Sequence, residues 1–113
     1  HLAEILDNIG FRSSIADPDV WIRSSVKSDG QRYYEYILVY VDDILCASHD
    51  PKATMKEIQD KKVKFKNKIA LPEVYLGATL QEKKLNDFKC WTMTSHTYLK
   101  AAFENVERQL PKW

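Results

Sequence analysis

The stretch that decides the fold is residues 36–45, which read YILVYVDDIL. A run of apolar residues and tyrosines leads to Asp42 and Asp43, and the apolar run resumes directly at Ile44. Two such runs on either side of a pair of acids predict a β-hairpin whose bend falls on the acids themselves. Adjacent residues of a regular strand face opposite sides of the sheet, so a bend is needed for both carboxylates to reach one site.

Two carboxylates at a strand tip offer the oxygen ligands that hard divalent cations bind together with substrate phosphates. The pair Asp42 and Asp43 therefore indicates phosphoryl or nucleotidyl transfer. An ordinary turn is the other interpretation, because aspartate is common in turns, where it bonds the nearby backbone. Taken alone, two acids between strands do not decide the matter, since short motifs often match by chance.

Hydrophobic spacing and turn residues predict the other elements. Helices are expected over residues 2–9, ended by Gly10, and from Pro51 onward for about three turns, capped by Asp50. Strands are expected from Val20, from Arg32 to the acids, from Lys62 by alternation, over 74–82 and over 88–93. Thr94 or Ser95 is expected to cap a last helix whose apolar face carries Tyr98, Leu99, Ala102, Phe103 and Val106. The pattern predicts one α+β domain, with an antiparallel sheet and helices packed on one face.

Composition excludes several classes of protein. The chain has 113 residues, of which 44% are hydrophobic and 29% charged, as in a folded domain rather than a disordered one. Its two cysteines, Cys46 and Cys90, lack the spacing of a zinc site and suit an intracellular protein with reduced thiols. No apolar stretch is long enough for a membrane span, so no membrane partner is expected.

The stretch from Lys52 to Lys68 is rich in lysine. It contains seven lysines and two acidic residues, Glu57 and Asp60, so its net charge is +5, whereas the whole chain carries +1. A basic run can bind a nucleic-acid backbone, because neutralising phosphates releases counterions. A solvated face is the alternative. The candidate backbone contacts are Lys61, Lys62, Lys64 and Lys66.

Residues 36–45 resemble the palm hairpin of reverse transcriptases, in the form found in copia-type LTR retrotransposons. Three further segments match that family in the same order. They are Leu6, Gly10-Phe11, Ser14, Asp17 and Val20-Trp21; then Tyr75-Leu76-Gly77; and then Met93-Thr94 with Tyr98-Leu99. Four ordered matches are more specific than one motif. The resemblance covers roughly residues 2–106.

The resemblance implies an incomplete palm over about 1–92 and the start of the thumb connection over about 93–113. The implied activity is RNA-directed DNA polymerisation by two-metal nucleotidyl transfer, with Mg²⁺ or Mn²⁺ as the cofactor. Asp42 and Asp43 match the family's metal-binding catalytic carboxylates. Tyr40, Val41 and Gly77 match positions near the primer and substrate.

The same resemblance implies partners and a context. In the full-length protein they are an RNA template, a DNA primer, deoxynucleotide triphosphates, and the fingers, thumb and ribonuclease H parts of the same polyprotein. The implied location is intracellular, in a cytoplasmic particle of the retroelement or in the nucleus. The family's other essential aspartate lies on an earlier strand that nothing before Asp42 matches, so the chain is expected to be an excerpt that is inactive alone.

Two other functions stay open. One is a noncatalytic retroelement remnant or nucleic-acid-binding module that uses the lysine-rich stretch 52–68, with the acids idle. The other is a structural or interaction domain whose apolar last helix docks on another part of a larger polypeptide. Neither has a use for magnesium.

Overall fold

The computed structural model describes residues 1–61 and 68–112. These residues form three helices and seven strands in two compact units, His1–Ala70 and Leu71–Trp113. The α+β class is confirmed, but the antiparallel strands of the described residues make two sheets rather than one. The predicted division between palm and thumb near residue 92 falls inside a strand of the second unit and stays a prediction.

The first unit has a four-stranded antiparallel sheet in the order β1-β2-β3-β4 and two helices. Its elements are α1 (Leu2–Asn8), β1 (Arg12–Ser13), β2 (Val20–Val26), β3 (Arg32–Tyr40), β4 (Asp43–Ala47) and α2 (Pro51–Asp60). Ile5 and Leu6 of α1 and Ile58 of α2 share one core with Ile37 of β3. Both helices therefore cover the same face of this sheet, as the sequence predicts.

The end of α1 fixes the entry to the sheet. Gly10 has a φ of +94°, and its amide donates to the Asp7 carbonyl, while the Phe11 amide donates to the Leu6 carbonyl at 2.9 Å. This pair of bonds is the Schellman motif, which favours glycine because a left-handed backbone strains other residues. Phe11 and Leu6 are both fully buried, so the turn also closes the core.

Helix α2 begins where the sequence predicts. Asp50 is its N-cap and accepts a hydrogen bond from the Ala53 amide at 3.1 Å, and Pro51 occupies the first turn. An aspartate cap satisfies an amide that has no partner within the helix. Residues 62–67, on which the predicted alternating strand falls, lie outside the described residues.

The second unit contains a three-stranded antiparallel sheet, β5 (Val74–Tyr75), β6 (Ala78–Leu85) and β7 (Phe88–Thr94), followed by α3 (His96–Gln109). The prediction of one strand over 74–82 is wrong, because the chain reverses at Leu76 and Gly77. Both have positive φ, +50° and +76°, and Tyr75 pairs with Ala78. Positive φ at both central residues is typical of a type I′ hairpin turn.

Helix α3 begins after Ser95, one of the two predicted caps, but the Ser95 side chain makes no capping hydrogen bond. No residue of α3 is buried, and its predicted apolar face is open: Tyr98, Leu99, Phe103 and Val106 are each more than half exposed. A short helix gains most of its stability from packing an apolar face. This face therefore remains available for contact.

Candidate active site

The predicted hairpin is confirmed, and the register of its strands defines its tip. Leu38 pairs with Leu45, Val39 with Ile44, and Tyr40 with Asp43. Val41 and Asp42 therefore form a two-residue turn, and Asp43 is the first residue of β4. The bend lies one residue earlier than predicted, because the turn begins at Val41 rather than between the two acids.

Val41 stands at the apex of the hairpin with a φ of +52° and is 83% exposed. Positive φ is an outlier for a β-branched residue, because its Cβ is crowded against the following backbone. Such a conformation costs on the order of 1–3 kcal/mol and persists where surrounding structure enforces it. Here the paired strands β3 and β4 hold the two ends of the turn.

The two acids differ in how the backbone holds them. Asp43 is opposite Tyr40, so both side chains belong to the sheet face that is directed away from the core, whereas Asp42 lies in the turn itself. Both acids are exposed to solvent. Because one acid is in the turn and the next is in the strand, the strict alternation of a straight strand does not apply to the pair.

The donor set suits a hard divalent cation in part. Mg²⁺ is commonly held by one or two carboxylates, with water and substrate phosphates completing the shell. Asp42 and Asp43 offer two carboxylates at an open tip, which fits that arrangement. Among residues 1–61 and 68–112, no group of three or more His, Cys, Asp or Glu side chains could hold a metal ion. The pair therefore supplies part of a ligand set.

The other predicted site residues are divided between the units. Tyr40 is 52% exposed beside the tip, and Val41 forms its apex. Gly77 belongs to the second unit, where it occupies the Leu76–Gly77 turn. A Cβ added at Gly77 would lie 3.8 Å from the Tyr98 ring, an ordinary contact, so the positive φ is what requires glycine.

Of the four candidate lysines, Lys61 is exposed at the C-terminal end of α2. Lys62, Lys64 and Lys66 lie outside the described residues. The predicted contact of this stretch with a nucleic-acid backbone stays a prediction.

Sequence reasoning missed a buried carboxylate in the first unit. Glu35 is 3% exposed and accepts hydrogen bonds from Arg23 at 2.7 Å, Ser48 at 2.8 Å and Thr54 at 2.9 Å. These bonds connect β2, β3 and α2 on the core side of the sheet. The alternation of β3 contained the signal, because it places Glu35 on the same face as Ile37 and Val39, where a charge needs partners.

Cys46 follows the acids on β4 and lies against the same core. Burial, together with the nearby charge of Glu35, raises the pKa of its thiol to about 11. A thiol with a raised pKa is a poor nucleophile near neutral pH. Cys46 is thus a packing residue and contributes no chemistry to the hairpin tip.

Comparison of the chain with models of known protein families, with curated proteins and with solved structures found no match. The likeness to reverse transcriptases therefore rests on the sequence segments themselves. Across the described residues, no helix combines the length and the apolar character needed to cross a membrane.

Proposed function

We propose that this chain is part of an RNA-directed DNA polymerase, the palm of a copia-type reverse transcriptase with the start of its thumb. One observation carries the proposal: Asp42 and Asp43 stand at the exposed tip of an antiparallel hairpin. The strands of that hairpin match the family's motif, and three further segments match in order. An exposed pair of acids is accessible to a primer end and a triphosphate, as nucleotidyl transfer requires.

Asp42 and Asp43 would hold Mg²⁺ or Mn²⁺ at the tip. A bound divalent cation supplies activation of the primer hydroxyl and neutralisation of phosphate charge. The chain's own contribution is to fix the two carboxylates on a rigid hairpin, because preorganised charges lose little energy to rearrangement during the reaction. Tyr40, on the same face as Asp43, would contact the primer terminus, and Val41 would lie beneath the new base pair.

Metal binding at the tip is testable on this chain. Mn²⁺ broadens NMR signals of nuclei close to it, so titration should broaden the amides of residues 40–44 first. Replacing both acids, Asp42→Asn with Asp43→Asn, should abolish that selective broadening. The matched control replaces Asp17 and Asp19 with asparagine. These two acids are also exposed, lie two positions apart in the sequence and belong to the same unit. Equal broadening in the hairpin variant and the wild type would contradict the proposal.

Polymerisation itself needs groups that the family places on an earlier strand and in the fingers. We therefore expect no incorporation of labelled deoxynucleotide by this chain on a primed RNA template with Mg²⁺ or Mn²⁺. Incorporation that disappears on Asp42→Asn would show that the chain is active alone. That result would retain the function and reject the need for the further aspartate.

A second candidate function is an interaction domain that docks through α3. The observation that favours it is the exposure of Tyr98, Leu99 and Phe103 along that helix, each above 60%. An exposed apolar stripe of this kind marks a contact surface. This candidate predicts no selective Mn²⁺ broadening at residues 40–44.

A third candidate, a noncatalytic module using the lysine-rich stretch 52–68, predicts salt-dependent nucleic-acid binding that Asp42→Asn leaves unchanged.

A further inference from the structure

The two-residue turn of the hairpin lies one position before the place that local backbone preference favours. Val41 is its first residue and has a φ of +52°, whereas the two residues that follow are aspartates. Positive φ is an outlier for a β-branched residue and is several-fold enriched for aspartate. A turn formed by Asp42 and Asp43 would therefore suit the backbone better. In that register β4 would be displaced by two positions along β3, so another contact must hold the observed register.

The apolar pattern of the strands discriminates weakly between the two registers. Side chains alternate along a strand, so a displacement by two positions leaves every side chain on its own face. Ile44 and Cys46 would still be directed to the core, and they would meet other apolar residues, because β3 is apolar or aromatic from Tyr36 to Tyr40. The register therefore depends on contacts outside this apolar part of the hairpin.

A polar contact at the other end of the hairpin does discriminate between the registers. Ser48 follows β4 and is opposite Glu35, one position beyond the pair of Tyr36 and Ala47. The Ser48 hydroxyl donates to Glu35 Oε1 at 2.8 Å, and the Thr54 hydroxyl of α2 donates to the same oxygen at 2.9 Å. Glu35 is 3% exposed, and a buried carboxylate needs such donors. One carboxylate thus holds both the end of β4 and the first turns of α2.

The displaced register would place Asp50 opposite Glu35, in the position of Ser48. Like charges directly opposite each other destabilise a pair of strands, and a buried carboxylate that loses a donor carries a desolvation cost. Asp50 is also the N-cap of α2 and accepts from the Ala53 amide at 3.1 Å. Of the two registers, the observed one gives Glu35 a hydroxyl partner rather than a second carboxylate.

We propose that Glu35, through Ser48 and Thr54, selects the register of the hairpin and thereby positions Asp43. Fixing register is the best-attested specific role of buried polar groups. In the observed register Asp42 lies in the turn and Asp43 in the strand, whereas the displaced register would place both acids in the turn. Selection of the register does not depend on the proposed function, but the use of Asp43 as a metal ligand rests on it. Glu35 is thus a positioning residue.

The test strengthens the competing turn. Asp43→Gly creates an Asp-Gly pair, which is among the most favourable two-residue hairpin turns. Cross-strand NOEs between Hα protons report the register: Val39 contacts Ile44 in the observed one, and Tyr40 would contact Leu45 in the displaced one. Spectra are recorded in EDTA, so that metal binding plays no part. We expect Asp43→Gly alone to retain the Val39–Ile44 contact, because the buried contacts at the other end are intact. Its replacement by the Tyr40–Leu45 contact would overturn the proposal.

Adding Glu35→Val to Asp43→Gly removes the selecting carboxylate, while Arg23 keeps Glu57 as its partner. The NOE of the displaced register should then replace that of the observed register. The matched control is Glu35→Gln in the same background. Its amide oxygen still accepts from the two hydroxyls, so it should retain the observed register. A folded Glu35→Val variant that keeps the observed register would overturn the proposal.

A second variant decides the matter if Glu35→Val does not fold. Ser48→Ala with Asp50→Ser, again with Asp43→Gly, retains Glu35 and moves its serine donor by two positions, and serine is also a good N-cap for α2. The displaced register should appear, because it brings the serine opposite Glu35, and persistence of the observed register would overturn the proposal. The Mn²⁺ titration of the wild type is a separate result, whose failure would reject the metal-binding role of the acids and leave the selection of register unaffected.

Discussion

Arg23 and Glu35 lie directly opposite each other on β2 and β3, and the Arg23 Nε atom donates to Glu35 Oε2 at 2.7 Å. The Glu35 side chain is 4% exposed and that of Arg23 is 18% exposed. Arg23 also binds both carboxylate oxygens of Glu57 on α2, donates to the Ile9 carbonyl and lies over the Phe11 ring. One guanidinium thus connects the sheet to both helices of the first unit.

We expect Glu35→Ala to lower the free energy of unfolding of the first unit by about 3 kcal/mol, because it leaves the partly buried Arg23 without its closest carboxylate. The measurement is urea denaturation followed by NMR signals of residues 1–61. Arg12→Ala is the control, since the Arg12–Asp7 pair is exposed and contributes less than about 1 kcal/mol. If both variants lost the same free energy of unfolding, burial of the Arg23–Glu35 pair would not contribute to stability.

Acid should weaken the first unit through Glu35. Burial raises the pKa of the Glu35 carboxyl. Hydrogen bonds from Ser48, Arg23 and Thr54 together lower that pKa by more than burial raises it, so it lies below its ordinary value of 4.5. Because the folded pKa is below the unfolded one, the stabilisation is complete above pH 4.5 and is lost as the pH falls through the folded pKa. The difference in unfolding free energy between the wild type and Glu35→Gln should therefore narrow as the pH falls below about 4.5. A constant difference would contradict this.

Val41→Asn should stabilise the first unit by about 1 kcal/mol, because asparagine adopts positive φ more readily than a β-branched residue. Val26→Asn is the control, as Val26 is also exposed but lies within β2. There the change should be neutral or destabilising, since asparagine is a poor strand former. Denaturation midpoints of both variants give the result, and a loss of stability at Val41 would contradict the strain inferred at the apex.

The two longer helices should respond differently to loss of their N-cap side chains. Asp50→Ala removes the bond to the Ala53 amide and should cost about 1 kcal/mol in the first unit. Ser95→Ala removes no capping bond and should cost little in the second unit. Thermal or urea denaturation, followed at signals of each unit, measures both. A larger loss at Ser95 than at Asp50 would reverse this expectation.

Local signals in the sequence predicted most single elements. The Asp50-Pro51 cap, the Gly10 stop and the hairpin at residues 36–45 each depend on neighbours in the chain, and each is confirmed. The reversal at Leu76-Gly77 was missed because apolar residues continue through it and leucine rarely takes positive φ. The partners of Glu35 could not be predicted from its neighbours in the chain. Arg23 is 12 positions away and Thr54 is 19 positions away, so their hydrogen bonds to Glu35 depend on the register of the sheet.

The geometry of the candidate site was predicted to a similar extent, whereas the role of its residues stays a prediction. The position of Asp42 and Asp43 at a hairpin tip follows from the apolar runs around them. The turn starts one residue earlier than predicted because Tyr40 and Asp43 close it as a pair. The face of β3 that packs against the core was not predicted, since the run YILVYV does not itself show which alternate set is buried. Burial of Ile37 beneath the helices decides that.

Tyr40 and Asp43 pair at the end of the hairpin, so the direction of the Asp43 side chain depends on the number of residues in the turn between them. Because the turn contains two residues, the side chain of Asp43 lies on the same side of the sheet as that of Tyr40. Adding or deleting one residue there would shift β4 by one position and move Asp43, Leu45 and Ala47 to the side packed by the helices. A change of side chain at Val41 therefore leaves the direction of Asp43 unchanged, whereas a change in the number of turn residues would misdirect that acid.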